Sequence, residues 1–227
     1  MDGLAELLGE SPAIEAVRQR LRRLLAQLKT GRSLPAILIQ GETGTGKGLV
    51  AKLIHRYGPR ASGPFVDVNC AAIPDTLLEA ELFGFERGAF TDARQAKPGL
   101  FRTAHRGTIF LDEVGLLPEP LQAKLLKVLE ERTVRRLGGT VSEPIDVAVI
   151  SATNTDLELA LAARSFRADF FHRLAVLELE LPPLRERGRD IVLLAHRFLT
   201  LATTEYGLAP KRLAEDAEAR LLDYAWP

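Results

Sequence analysis

The segment "LPAILIQGETGTGKG", Leu34 to Gly48, restricts the fold more than any other part of this chain. A short apolar run, Ile37 to Ile39, enters a glycine-rich loop that opens a helix. Glycines at such a junction let successive backbone N–H groups converge on an anion, and the helix N-terminus and the Lys47 ammonium add positive charge there. Strand, loop and helix in this order predict a phosphate-binding loop. Its candidate nucleotide-binding residues are Gly41, Glu42, Thr43, Gly44, Thr45, Gly46, Lys47, Gly48 and Leu49. In one respect the loop departs from the general pattern: Gly48 follows the lysine and offers no hydroxyl to Mg²⁺.

A loop of this kind sits on a parallel sheet, and the rest of the chain supplies one. Apolar runs recur at Phe65 to Asn69, Thr108 to Asp112, Ile145 to Thr153 and Leu174 to Leu181, with helical patterns between them. An amphipathic stretch from Ile14 to Leu28 precedes the first. Strands alternating with helices predict an α/β fold whose sheet is covered on both faces. After Pro182-Pro183 the pattern turns helical, over Ile191 to Leu201 and Leu213 to Tyr224, with no further strand expected. The expected division is therefore 1–183, an α/β nucleotide-binding unit, and 184–227, a partial helical lid.

Charge and cysteine narrow the class. Lys+Arg and Asp+Glu are 30 each, so no bulk attraction to nucleic acid or anionic membrane is expected. Cys70 is the only cysteine and is expected as a reduced, packed thiol. The N-terminus lacks a signal pattern and no apolar run reaches the roughly 20 residues of a membrane helix. The expected location is the cytoplasm.

A second chemical site is "TIFLDE", where an apolar strand delivers Asp112 and Glu113 to its C-terminal end, about 65 residues after Lys47. Parallel sheets bind ligands at that edge. Asp112 is the candidate Mg²⁺ ligand, through water, and Glu113 the group that polarises the attacking water. Thr153 and Asn154 end another strand and are candidates for sensing the γ-phosphate. Asn69 ends a third, and its amide is expected to hold Glu113 off the water until that phosphate is read. The stretch "ELFGFERGAFTDA", Glu81 to Ala93, has neither helical nor strand period over Gly88 to Ala93 and carries Phe90 on a loop tip.

Together "GETGTGKG", "VNCAAIPDTLLEAELFGFERGAFTDA", "GTIFLDEVGLLPEPLQAKLLKVLEE", "RRLGG", "FRADFFHRLAVLELELPPLRERGRDI" and "YAWP" resemble the central AAA+ domain of the bacterial enhancer-binding proteins, the NtrC-like activators of sigma-54 RNA polymerase. The resemblance implies an AAA+ P-loop ATPase using ATP and Mg²⁺, working as a homo-oligomer, a hexameric ring in this family, and touching DNA only through a domain not in this chain. Lys47, Asp112 and Glu113 match the Walker residues, Asn69 the switch on Glu113, and Thr153-Asn154 sensor I. Arg167 and Arg173 match arginine fingers that reach a neighbouring subunit's ATP. Gly88, Ala89, Phe90, Thr91, Asp92 and Ala93 match the sigma-54 contact loop near 84–93, an insertion within the helix after the second strand. "RRLGG", Arg135 to Gly139, matches a second loop coupled to it.

Two departures from the family pattern stand out. Asp92 replaces the glycine of Gly-Ala-Phe-Thr-Gly-Ala, a position at which positive φ is expected to matter. The sequence also stops before the family's sensor II segment. Two other functions fit the same residues: a nucleotide-gated assembly module with weak turnover, and an AAA+ remodeller of another protein client. Glu113, Arg167 and Arg173 favour turnover over the first, and the Phe90-Thr91 tip favours sigma-54 over the second.

Overall fold

Why five short apolar runs become one sheet is visible in their side-chain alternation. In β1 (Ile37–Gln40), Ile37 and Ile39 face one layer of helices and Leu38 the other. The computed structural model, which describes residues 2–30 and 34–226, repeats this in each central strand. In β5 (Thr108–Asp112), Phe110 points one way while Ile109 and Leu111 point the other. In β8 (Ala148–Thr153) the split is Ile150 and Ala152 against Val149. Strands buried on both faces read as continuous apolar runs because both sets of alternating side chains need cover.

With β2 (Phe65–Asn69) and β9 (Leu177–Glu180) the sheet runs β2-β5-β8-β1-β9, every pair parallel. This is the AAA+ P-loop fold. On one face lie α1 (Pro12–Thr30) and α2 (Lys47–Tyr57), whose Leu21, Val50 and Leu53 are fully buried. On the other lie α3 (Asp75–Phe83), α4 (Leu100–Thr103), α5 (Glu119–Glu131), α6 (Leu157–Ala162) and α7 (Ala168–Leu174). The chain closes with α8 (Asp190–Glu205) and α9 (Glu215–Asp223), and after β9 no strand occurs among the described residues. Pro227, the last residue of "YAWP", lies outside them, as does Met1.

Several boundaries differ from the sequence expectation. The strand expected from Ile145 starts at Ala148, because Ile145 to Val147 is spent joining loops: Ile145 N–H donates to Arg132 O at 2.8 Å and Arg106 N–H to Asp146 O at 2.7 Å. The strand expected from Leu174 starts at Leu177, since Leu174 is the buried last residue of α7. Two hairpins were not legible: β3 (Gly84–Phe85) with β4 (Lys97–Pro98), and β6 (Thr133–Arg135) with β7 (Ser142–Pro144). The first closes the base of the Phe90 loop. α3 and α4 flank it, and their Phe83 and Phe101 rings stack at 6.0 Å.

Candidate active site

Parallel pairing brings the C-terminal ends of the strands to one edge, and the register aligns their polar residues. Gln40 lies opposite Thr153, and Asn69 opposite Asp112. The glycine loop leaves from this edge. Gly46 caps α2 with φ 101°, a conformation that costs a side-chain-bearing residue energy and glycine little. Lys47 is only 7% exposed and its Nζ donates to Gly41 O at 2.8 Å and Glu42 O at 3.1 Å. The ammonium is thus held over the loop by the carbonyls a phosphate would displace. A Cβ at Gly48 would meet nothing nearer than Phe110 Cε1 at 3.8 Å, so space for a hydroxyl exists and only the side chain is missing.

Glu113 occupies a left-handed conformation, φ 56°, that swings its side chain off the strand. Its Oε1 lies 4.0 Å from Lys47 Nζ and its Oε2 accepts the Asn154 N–H at 3.2 Å. Asn154 Nδ2 in turn donates to Thr43 Oγ1 at 2.9 Å, tying the third strand end to the loop. Thr153 is buried, and its hydroxyl accepts the Thr155 N–H at 3.0 Å. Asn69 stands apart from this cluster. Its Oδ1 accepts the N–H groups of Ala71 and Ala72 at 2.9 and 3.2 Å, so the carboxylate is held by Asn154 rather than by Asn69 in this state.

Asp112 Oδ1 accepts the Glu113 N–H at 3.1 Å, which leaves its second oxygen for an ion. Mg²⁺ bound to nucleotide takes most ligands from phosphate and water and needs one or two carboxylates. Asp112 and the open space at Gly48 fit that donor set. The neighbouring Cys70 thiol is pushed up to about 12, by burial first and then by the charges of Asp112 and Glu113.

Neither candidate finger bonds to its own subunit's loop. Arg167 caps the start of α7 and its guanidinium pairs with Asp169 at 2.7 Å and Glu119 at 3.7 Å on the surface. Arg173 donates to Leu129 O at 3.0 Å, near the end of α5, where a cation suits the helix terminus.

The Phe90 loop is ordered by its own backbone: Gly88 N–H donates to Ala93 O at 2.8 Å and Ala93 N–H to Phe90 O at 3.0 Å. Phe90 stays 43% exposed, with its ring edge-on to Phe85 at 4.8 Å. The left-handed residue here is Gly88, φ 83°; Asp92 is not in that region, so its replacement of glycine imposes no backbone strain. The second loop packs against the first. Leu137 N–H donates to Gly84 O and Glu86 N–H to Leu137 O, each at 2.9 Å, and Arg136 pairs with Glu86 and Glu143. Gly138, φ 71°, approaches so closely that a Cβ would sit 2.9 Å from that of Ala89.

Residues 7–180 match the sigma-54 interaction domain family and residues 185–227 the AAA+ ATPase lid domain. The chain belongs to the sigma-54 interaction domain family. It is 47% identical over 97% of its length to the response regulator protein PilR of Pseudomonas aeruginosa, covering 48% of that protein. To the DNA-binding transcriptional regulator NtrC of Klebsiella pneumoniae it is 46% identical over 98% of its length, covering 46%. The crystal structure of Brucella abortus NtrX in complex with ATP matches with a TM-score of 0.86 and 38% identity, over 96% of this chain and 46% of that one. The chain thus spans about half the length of the curated relatives it matches.

Sequence reasoning missed how this sigma-54 interaction domain joins its nucleotide loop to the lid. A cavity of about 750 Å³ lies between Glu42 to Gly46 on one side and Leu7, Leu8, Ile191, Leu194 and Phe198 on the other. Arg185 makes a two-pronged ion pair with Glu42, at 2.6 and 2.8 Å. Asp190 is buried and accepts the Glu10 and Ser11 N–H groups and the Ser11 hydroxyl, the last at 2.6 Å. Burial alone would raise its pKa; the Ser11 hydroxyl, those two N–H groups and Arg187 outweigh it and hold the carboxyl below the usual range. The available signal was "LRERGRDI", a dense run of both charges directly after Pro182-Pro183, of which Arg187 and Asp190 are buried. Among the described residues no helix is long and apolar enough to cross a membrane.

Proposed function

We propose that this chain is the ATPase module of a sigma-54-dependent activator, binding ATP with Mg²⁺ over residues 41–49 and hydrolysing it at a junction between two copies. The observation that carries this is Glu113 held between the Lys47 ammonium and the Asn154 N–H at the loop's edge of the sheet. With ATP present, Lys47 exchanges its carbonyl partners for β- and γ-phosphate oxygens, a point charge meeting charge. The apolar side of the 750 Å³ cavity suits the base. Asp112 would hold Mg²⁺ through water, and the ion would supply positive charge beside the phosphates.

Glu113 Oε1 accepts a proton from water as the water oxygen bonds to the γ-phosphorus and the bond to the β,γ-bridging oxygen breaks. Asn154 fixes the other carboxylate oxygen and, through Thr43, registers the loop's state. Asn69 comes into play only if its amide leaves the Ala71-Ala72 turn. Arg167 and Arg173 reach the neighbouring copy's γ-phosphate, which explains why neither touches its own. Rings, hexameric by family likeness, follow from that sharing. Movement of the loop over Gly88 to Ala93, with its partner at Arg135 to Gly139, presents Phe90 and Thr91 to sigma-54 in the RNA polymerase holoenzyme. That work belongs in the cytoplasm, with DNA held by a part of the protein outside this chain. The division at 183/184 into catalytic unit and lid is supported by the break between the two family matches.

The test separates binding from chemistry. Lys47→Ala is expected to weaken ATP binding by at least about tenfold, whereas Glu113→Gln keeps affinity and loses hydrolysis. Nucleotide titration beside phosphate release reads both, and equal loss of affinity in the two variants refutes the assignment.

A further inference from the structure

One fully buried polar side chain lies away from both the strand ends and the paired loops. Gln122 is 0% exposed, within the apolar stripe of α5 formed by Leu121, Leu125, Val128 and Leu129. Its Nε2 donates to Leu117 O at 2.8 Å and to Ser165 O at 3.0 Å, and its Oε1 accepts the Arg167 N–H at 2.9 Å. We infer that Gln122 is a positioning residue for the arginine finger, its amide joining the backbone of Arg167 to the segment that follows Glu113. This rests on the proposed finger role of Arg167.

The three partners belong to two different active sites in the assembled protein. Leu117 ends the tight turn Val114–Leu116 that begins immediately after Glu113. That turn is lodged against sensor I, since a Cβ on Gly115 would lie 2.6 Å from both Thr153 Oγ1 and Thr155 Oγ1. A shift of Glu113 or Thr153 is therefore passed to Leu117 O. On the far side, Ser165 and Arg167 bracket the start of α7, where Phe166 is buried and Phe171 N–H donates to Arg167 O at 3.0 Å. The finger's side chain lies at the surface, where it pairs with Asp169 and Glu119, while its backbone N–H is held by the Gln122 amide. Leucine at 122 would extend the apolar stripe of α5. Glutamine uses three of its four hydrogen-bonding positions to join the two segments. A buried network of this sort imposes one relative placement, because each broken bond strands a polar group away from water. The nucleotide site of one copy thereby sets the finger it lends to the next.

Gln122→Met keeps the side-chain length and removes all three bonds. In the assembled protein, nucleotide affinity is expected to stay within about twofold while kcat falls by about 10²-fold, the penalty of misplacing a catalytic group by an ångström. The decisive readout is complementation in rings shown to be mixed. Gln122→Met subunits should regain turnover with Glu113→Gln subunits, which lend sound fingers, and none with Arg167→Ala subunits, which do not. Recovery with Arg167→Ala, or a kcat within about twofold of the parent while Arg167→Ala is inactive, overturns this inference alone. Full turnover in Arg167→Ala refutes the finger role, and the inference with it. If Gln122→Met fails to fold, Gln122→Glu serves: its neutral acid keeps the acceptor for Arg167 and one O–H donor, so turnover should rise relative to the parent as pH falls from about 8 to about 6. A profile parallel to the parent's overturns it.

Discussion

The sheet edge and the paired loops over Gly84 to Pro98 and Arg135 to Gly139 hold their key residues in opposite ways. At the edge, Lys47 and Thr153 are buried, Asp112, Glu113 and Asn154 sit at the ends of strands within a two-sided core, and Asn69 ends the outer strand β2. In the loops, Phe90 is half-exposed, rests on one other ring, and is tied to the fold by two-residue strands and the Phe85–Leu137 bridge. Bond chemistry needs atoms fixed to fractions of an ångström, which packing supplies; contact with a moving partner needs a segment that opens at low cost.

Four changes would break or sharpen that contrast. The largest effect belongs to Arg167→Ala, expected to cut turnover roughly 10³–10⁵-fold with nucleotide affinity retained, read by phosphate release and titration. A small loss would mean that the edge is complete within one copy. Next, Phe90→Ala should weaken capture of sigma-54 in an ATP transition-state analogue by about 30-fold, as an aromatic interface anchor does, with basal ATPase within a few-fold. Co-migration measures it, and undiminished capture would remove the loop from the contact.

Gly138→Val should lower the same capture by about tenfold, since left-handed backbone costs a side-chain-bearing residue roughly 1–2 kcal/mol and the Ala89 contact leaves no room. An equal loss of ATPase would show the two regions to be mechanically one. The smallest change is Asp190→Asn, which should lower Tm at neutral pH by about 5 °C. Because the folded carboxyl is held below its usual range, its contribution is present above about pH 4 and is lost as pH falls through the folded value. The Tm gap between parent and variant should therefore narrow in acid, as thermal melts over a pH series would show.

Legibility in the sequence follows the same contrast. Strands that place Asp112 and Thr153 were readable because a short apolar run that ends on a polar residue suits a doubly covered strand, whereas Asn69 ends the edge strand β2, whose run is broken by the exposed Asp67. Their starts were less so: Val147 is as apolar as the strand it precedes, and only tertiary hydrogen bonds decide that pairing begins at Ala148. Hairpins of two or three residues carry no period, so the brace between Phe85 and Leu137 left no trace. Asn69 was expected on Glu113, yet local turn geometry competes for its oxygen, as it does for asparagine generally. Gln122 did leave a mark, an amide in line with Leu125 and Leu129 on the apolar face of α5.

Cys70 carries a practical consequence. Burial pushes its pKa up to about 12, so little thiolate is present near neutral pH, and the thiolate is the species that attacks alkylating dyes. The native thiol is thus close to inert toward maleimide chemistry while the fold is intact. A Thr91→Cys chain would take its dye at the loop tip, with no background substitution needed, so that energy transfer between tips as nucleotide is added would test the ring proposed above.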